Sequence, residues 1–287
     1  MNDVTLSCVI LTMGDRPGEL RRAIDSVRAQ HGEPIEVVLV AQGADVDDVP
    51  DDVTYVRLPE NVGLPEGRNR GAARATGDVV LFLDDDGWYP EPTLADWVRA
   101  RFATDPRLGI MSFRIVDEEG RSARRHVPRL RAGDPMRSGQ VTTFLGGGSA
   151  VRRETFERVG GLPGEFFWTH EETDLAWRVL DAGYRIVYDA RAVMAHPRTS
   201  PARHANYLRM NARNRVWLAK RNLPLPLAVA YVGDWFAVTV VRERSVTALR
   251  PWLRGFAEGL RTSGGPRRPI AWRTAWRMAR LGRPPVI

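Results

Sequence analysis

The run Asp78-Val79-Val80-Leu81-Phe82-Leu83-Asp84-Asp85-Asp86-Gly87 limits what this chain can fold into more than any other stretch. Five apolar residues of high strand propensity pass directly into three carboxylates and a glycine, which reads as a buried strand ending in an acidic turn. Adjacent carboxylates repel one another, so at neutral pH they stay ionised only beside a cation, a basic group or ample water. A solvated turn would meet that requirement too, and the rest of the chain has to decide.

Other segments of the same kind surround it. Leu6 to Thr12 and Ile35 to Ala41 are apolar runs of strand length, Val53 to Leu58 is a weaker one, and Leu108 to Val116 a fourth. Between them, Leu20, Ala23, Ile24 and Val27 fall at helical spacing within Glu19 to Gln30. Further helices are expected over 66–75, 92–103 and 153–159. Strands alternating with helices, each strand short and continuously apolar, predict an α/β fold with a mostly parallel sheet covered on both faces. In such sheets ligands bind beyond the carboxyl ends of the strands, where Asp84 to Asp86 lie.

Charge divides the chain. From residue 201 onward there are seventeen Lys and Arg against three acids, a balance of +14, which leaves −7 on the first 200 residues. This predicts two regions, 1–205 and 206–287, with different partners. The single cysteine, Cys8, excludes an internal disulfide framework and suits a reducing compartment. Val4 to Met13 is short for a signal peptide and has no basic leader, so the expected location is cytoplasmic. The basic region holds five of the nine tryptophans, and its apolar run Leu227 to Val241 is interrupted by Asp234. That composition predicts an interfacial helix on an anionic membrane rather than a bilayer span. A helical subdomain packed on the core is the alternative. No nucleic-acid-binding module accompanies the charge, so nucleic acid is not expected as a partner.

Three further stretches carry chemistry. Residues 117–139 are polar and arginine-rich, including Arg121, Arg125 and Arg131, and read as a surface loop able to face an anionic substrate. Gly146-Gly147-Gly148-Ser149 lets backbone approach a ligand closely but lacks the Lys and spacing of a phosphate-binding loop. Glu171-Glu172-Thr173-Asp174-Leu175 opens a helix to Ala182, with Thr169 or Thr173 as its expected cap. Acids in a first turn also favour the helix dipole, so this cluster has a purely structural reading as well.

In order and spacing these pieces resemble the family 2 glycosyltransferases of the GT-A fold, in their bacterial rhamnosyltransferase-like branch, over roughly residues 5 to 220. Thr12 to Gln30 is similar to the family's first strand and Arg-containing loop, and Asn61-Val62-Gly63 with Gly67-Arg68-Asn69-Arg70-Gly71 to its nucleotide-side motif. Asp84-Asp85-Asp86 resembles the acidic DXD motif, Glu171 to Leu175 with Arg178 its Glu-Asp-x-Asp-Leu signature, and His196 its late histidine.

The resemblance implies a UDP-, dTDP- or GDP-linked sugar donor, a divalent metal (Mn2+ or Mg2+), and a glycan or lipid-linked acceptor, with inversion at the anomeric carbon. It places Asp86, Asp84 and His196 at the metal, and Thr12, Arg16, Gln42, Arg68, Asn69, Asp84, Asp85, Gly147, Arg178 and Arg213 around the donor. Glu172, Glu171 and Asp174 are the candidates for the base, with Glu172 standing where the family usually has an aspartate. The chain departs from the pattern after its second strand too, where Ala41-Gln42-Gly43 replaces the usual aspartate. No Gln-x-x-Arg-Trp motif of processive synthases is present. Transfer to a polyprenyl phosphate, and a non-catalytic sugar-nucleotide-binding protein at a membrane, are the alternative readings.

Overall fold

The computed structural model describes residues 4–130, 134–198 and 206–286. Arg131 and the expected boundary between the two regions, at 205/206, lie outside the described residues. The sheet is built from β1 (Leu6–Thr12), β2 (Glu36–Gln42), β3 (Val53–Leu58), β4 (Val79–Asp84), β5 (Leu108–Val116), β6 (Gly139–Gln140), β7 (Gly148–Arg152) and β8 (Arg185–Ala195). Its order is β3-β2-β1-β4-β7-β5-β8-β6. Strands β3, β2, β1 and β4 run parallel, as do β5 and β8, while β7 lies antiparallel between β4 and β5 and β6 is an antiparallel edge.

Alternate residues of each strand face opposite layers, as a period of two requires. Cys8, Ile10, Leu81 and Leu83 pack with α1 (Pro17–Arg28) and α3 (Leu94–Thr104). Val9, Leu11, Val80 and Phe82 face α2 (Leu64–Ala72), α4 (Arg153–Val159) and α5 (Glu171–Asp181). Helix α2 sits unusually close to the sheet because a side chain at Gly71 would collide with Val9 and Val40. That close approach carries Arg68 under the sheet's carboxyl end, where it is 4% exposed.

The C-terminal region is helical: α6 (Tyr207–Asn222), α7 (Leu225–Arg242), α8 (Val246–Arg261) and α9 (Trp272–Arg280). It is not a separate layer, since Trp217, Leu218, Tyr231, Ile270 and Met278 join the same apolar core as α5. Helix α7 is longer than its apolar run suggested, and its 18 residues with mean hydropathy 1.3 meet the length and composition of a bilayer span, with 11% of them buried. At about 1.5 Å per residue it would reach roughly 27 Å, and Asp234 stands in its middle.

Three local expectations change. Helix α5 is capped by neither Thr169 nor Thr173; its N-cap is His170, in left-handed backbone (φ 68°) with no side-chain cap bond. Strand β8 runs over eleven residues, and neither it nor β7 is among the strands expected above.

Candidate functional site

The site forms where β1 and β4 end side by side. Leu11 pairs with Asp84, so Thr12 and Asp85 emerge together. Thr12 Oγ1 donates to Asp85 Oδ2 at 2.8 Å, and the Gly14 N–H donates to Thr12 Oγ1 at 3.1 Å. Arg16, in the loop after β1, forms an ion pair with Asp86 and stands 3.5 Å from Asp85. Burial pushes the Asp85 carboxyl up to about 6, against the Thr12 bond and Arg16, with Asp86 and Asp84 adding repulsion.

The other half of the site comes from β8. The turn after the acids is tied to that strand by reciprocal backbone bonds between Trp88 and Ala195, at 3.0 and 2.8 Å. This bridge brings the next residue, His196, to Asp86, with Nε2 3.1 Å from Oδ1. The opposite ring nitrogen, Nδ1, is 2.6 Å from the Pro197 carbonyl, which fixes the ring. Burial disfavours the charged imidazole, but Asp86 and Asp84 overcome it and raise His196 to about 9. Burial likewise opposes ionisation of Asp86, yet His196 and Arg16 hold its carboxyl below the ordinary range.

Asp84 faces a different partner. Arg68 donates from Nη2 to its Oδ1 at 2.9 Å, while Nη1, 3.9 Å from Glu172 Oε1, is buried without a hydrogen bond. The glycine run closes over this pair. A Cβ at Gly147 would overlap the Asp84 carboxylate, and one at Gly146 would strike Arg68 and Glu172. Only glycines leave room there. Gly146 was not singled out from the sequence, though its place in the run was the available signal.

Glu171 and Glu172 begin α5. Glu171 is 1% exposed, with Oε2 unbonded, whereas a quarter of the Glu172 side chain is exposed. Burial raises both carboxyls above their ordinary range; the neighbouring Glu172 raises Glu171 further, and Arg68 works against the shift in both. The loop before them is held in left-handed backbone at Phe167, Thr169 and His170. Asn214 pins it from α6, its Nδ2 within 3.0 Å of the carbonyls of Phe166, Trp168 and Thr169.

Several expected residues are placed elsewhere. Asp174 is fully buried and is no candidate base: Arg178 (2.6 Å), Arg221 (2.9 Å) and Asn222 (2.5 Å) occupy its two oxygens. Arg178 also donates to the carbonyls of Val159 and Gly161, so it braces the fold rather than a ligand. Asn69 exchanges two bonds of 2.9 Å with the Leu162 backbone. Gln42 accepts from the Val62 N–H at 3.2 Å and is 5% exposed. Arg213 pairs with Glu258 and donates to the Phe166 carbonyl. Among the described residues no three of His, Cys, Asp or Glu form a ready-made metal cage; Asp86 and His196 touch, but Asp84 is turned to Arg68.

The arginine-rich loop does border the site. A cleft of about 630 Å³ beside His196 is lined by Asp117, Arg121, Arg125, His126 and Arg198. Burial and Arg125 push His126 down to about 4, so its ring is neutral there.

Comparison with known proteins bears on the fold and the family. Over 267 aligned residues the chain is 28% identical to the pre-mycofactocin glycosyltransferase of Mycobacterium tuberculosis; the match takes in 86% of this chain but only 49% of that protein, about half its length. Among solved structures, GalNAc-T7 with UDP, GalNAc and Mn2+ superposes with a TM-score of 0.64 at 15% identity, covering 91% of this chain and 55% of that one. A mannosyltransferase from Pyrobaculum calidifontis in complex with GDP-Man and Mn2+ gives 0.58 at 18% identity, covering 98% and 85%. These neighbours make the fold GT-A; none of the three names a rhamnosyl donor. The model of the N-terminal domain of galactosyltransferase matches residues 131–199. The model of glycosyl transferase family 2 matches residues 7–160, more than half of the chain and all of β1 to β7 but Leu6, and to that family the protein belongs.

Proposed function

We propose that the protein moves a glycosyl group from a nucleoside-diphosphate sugar to an acceptor hydroxyl, with Mn2+ or Mg2+ bound and with inversion. One observation carries this reading: Arg68 stands between the acidic turn and a separate, partly exposed carboxylate, Glu172. Asp86 and His196 offer one carboxylate and one imidazole on the same side, a partial donor set that diphosphate oxygens and water would complete. They therefore fit a cation bound together with a diphosphate. When bound, that cation neutralises charge on the departing diphosphate.

The chain's own groups supply the rest. Glu172 takes the proton from the acceptor hydroxyl as its oxygen forms the new bond to the anomeric carbon. The bond to the diphosphate breaks on the opposite side, and its electron pair leaves with the diphosphate. Arg16 and Arg68 are positioned to stabilise that developing charge. Glu171, buried behind Glu172, sets its environment. The solved neighbours crystallised with UDP or GDP-Man and Mn2+ support this donor class. Transfer measured against UDP-, dTDP- and GDP-sugars with Mn2+ tests it, with Asp86→Asn and Glu172→Gln as controls. Undiminished transfer in both variants would exclude the assignment.

A peripheral position on the inner face of the cell membrane belongs to the same proposal. Val229, Val241, Trp272 and Trp276 are between 51% and 77% exposed, on a region rich in arginine. Such a surface suits contact with anionic lipid and a lipid-linked or cell-envelope acceptor.

A further inference from the structure

Next to the acidic helix start lies a second, smaller cavity of about 100 Å³, enclosed by α5, α6, α7 and the segment after α9. His170, Thr173, Arg215, Tyr231, Trp235 and Arg283 contribute to its wall, and among the described residues no carboxylate does. Arg215 donates to Tyr231 Oη at 3.1 Å, and its guanidinium lies 3.6 Å over the Trp235 ring. Neither this guanidinium nor that of Arg283 has an ion-pair partner among the described residues. The groups acting on Arg283 are Tyr231 and Arg215, and both arginines act on His170. One donor faces no acceptor: Trp235 Nε1 is buried without a hydrogen bond, while the neighbouring His170 ring has Asn211 as its partner and leaves Nε2 unbonded.

Like charges enclosed together with an unmet donor are costly unless an anion joins them. The space suits a tetrahedral oxyanion and is too small for a sugar or a base. None of Thr12, Arg16, Asp84, Asp85, Asp86 or His196 lines it, so it is not the donor diphosphate site. We propose that this cavity binds one phosphate group, held by Arg215 and Arg283 with the Trp235 Nε1–H completing the donor set. His170 directly precedes Glu171 and Glu172, and Trp235 belongs to α7, whose outer face exposes Val229, Phe236 and Val241. The phosphate is accordingly that of an alkyl-linked acceptor, its chain lying along α7. This assignment to the acceptor rests on the transferase reading; the anion site itself does not.

The test is calorimetric titration of the full chain with octyl phosphate, octanol and inorganic phosphate. Octyl phosphate is expected to bind saturably, inorganic phosphate at least tenfold more weakly, and octanol without saturation. Arg283→Gln, at a side chain that makes no hydrogen bond or ion pair to the described residues, should weaken octyl phosphate at least tenfold and leave binding of nucleoside diphosphate with Mn2+ within twofold. Trp235→Phe, which removes the N–H and keeps a ring, should weaken it severalfold, and serves should Arg283→Gln fail to fold. Equal affinity in wild type and these variants overturns the site. Inorganic phosphate binding as tightly as octyl phosphate supports an anion site but overturns its assignment to an alkyl-linked acceptor. Failure of wild type to bind any nucleoside diphosphate would sink the transferase reading and leave the cavity to be decided by octyl phosphate alone.

Discussion

His196 Nε2 stands 3.1 Å from Asp86 Oδ1, although more than a hundred residues of chain separate them. The Trp88–Ala195 bridge makes that contact, because it locks the turn following the acids to the end of β8. Asp86→Asn and His196→Ala are each expected to lower Mn2+ affinity by at least about 10–100-fold, the range seen for groups that merely orient ligands. Thermal melting should change little. Titrating transfer activity with Mn2+, alongside calorimetry of Mn2+ binding in the presence of nucleoside diphosphate, checks this; unaltered affinity in both variants would remove the pair from the cation site.

The two glutamates of α5 should separate cleanly. Glu172→Gln is expected to lower kcat by roughly 10²–10⁴, the usual worth of a positioned base. Burial favours the protonated form of Glu171, which Glu171→Gln mimics, so activity within about tenfold of wild type is expected. Comparable losses in the two variants would refute the division of roles.

A related expectation concerns pH. Because burial raises Glu172 above its ordinary value, its reactive carboxylate form is lost as pH falls through that raised value. The acid limb of kcat/KM should therefore lie at higher pH than a solvent-exposed glutamate would give. A profile flat down to pH 5 would contradict it.

Gly147 is predicted to tolerate no side chain. Gly147→Ala must displace the Asp84 carboxylate, at a cost of about 1–3 kcal/mol in a packed region, and should weaken donor binding at least tenfold. Gly120→Ala is a poor control despite open space there, since its φ of 75° strains any side chain. Gly18, with open space and ordinary backbone, is the better one. Donor affinity and melting temperature measured for both alanine variants decide the matter.

Asn214→Ala removes one amide that serves three carbonyls of the loop before α5. Leaving such groups unpaired costs about 1–3 kcal/mol each when they are buried, so a destabilisation of about 2–4 kcal/mol is expected in urea unfolding. The loss of kcat should exceed the loss of donor affinity, because the loop aims Glu172.

Membrane contact can be tested without shortening the chain, which would strip core residues such as Leu218 and Met278. Val229→Glu combined with Val241→Glu, both at exposed positions on α7, should abolish sedimentation with anionic vesicles and leave melting unchanged. Binding of the wild type should also weaken as salt rises. Equal sedimentation of variant and wild type would exclude α7 as the contact.

What could be read from the chain alone follows the range of the forces involved. The parallel strands were legible because unbroken apolar runs such as Leu6 to Thr12 need burial on both faces. Asp84 to Asp86 stood out because no packing requirement explains three adjacent acids. Strand β7 was hidden, since Gly148-Ser149-Ala150-Val151-Arg152 owes its place to neighbours on both sides rather than to its own composition. Strand β8 looked short because Asp189 and Arg191 interrupt it, yet Asp189 is buried as the acceptor of the Trp97 indole N–H. Asp174 was misassigned for a similar reason. Its partners Arg221 and Asn222 lie nearly fifty residues away, and nothing local to α5 distinguishes a tied carboxylate from a free one. Gln42 and Asn69 likewise spend their polar groups on distant backbone.

The bonds from Arg221 and Asn222 to Asp174 also set an order of events during synthesis. While the ribosome has yet to release residue 222, α5 carries three acids near one another with only Arg178 and Arg68 to offset them. The helix bearing the candidate base thus gains these partners only with the segment that also leads into the apolar surface of α7. A nascent chain stalled before that point would hold a formed acidic turn at β4 and an unfinished opposite wall. Maturation of the cleft is consequently tied to emergence of the basic helices, and arrest-peptide force measurements at successive chain lengths should register the transition only once α6 has cleared the exit tunnel.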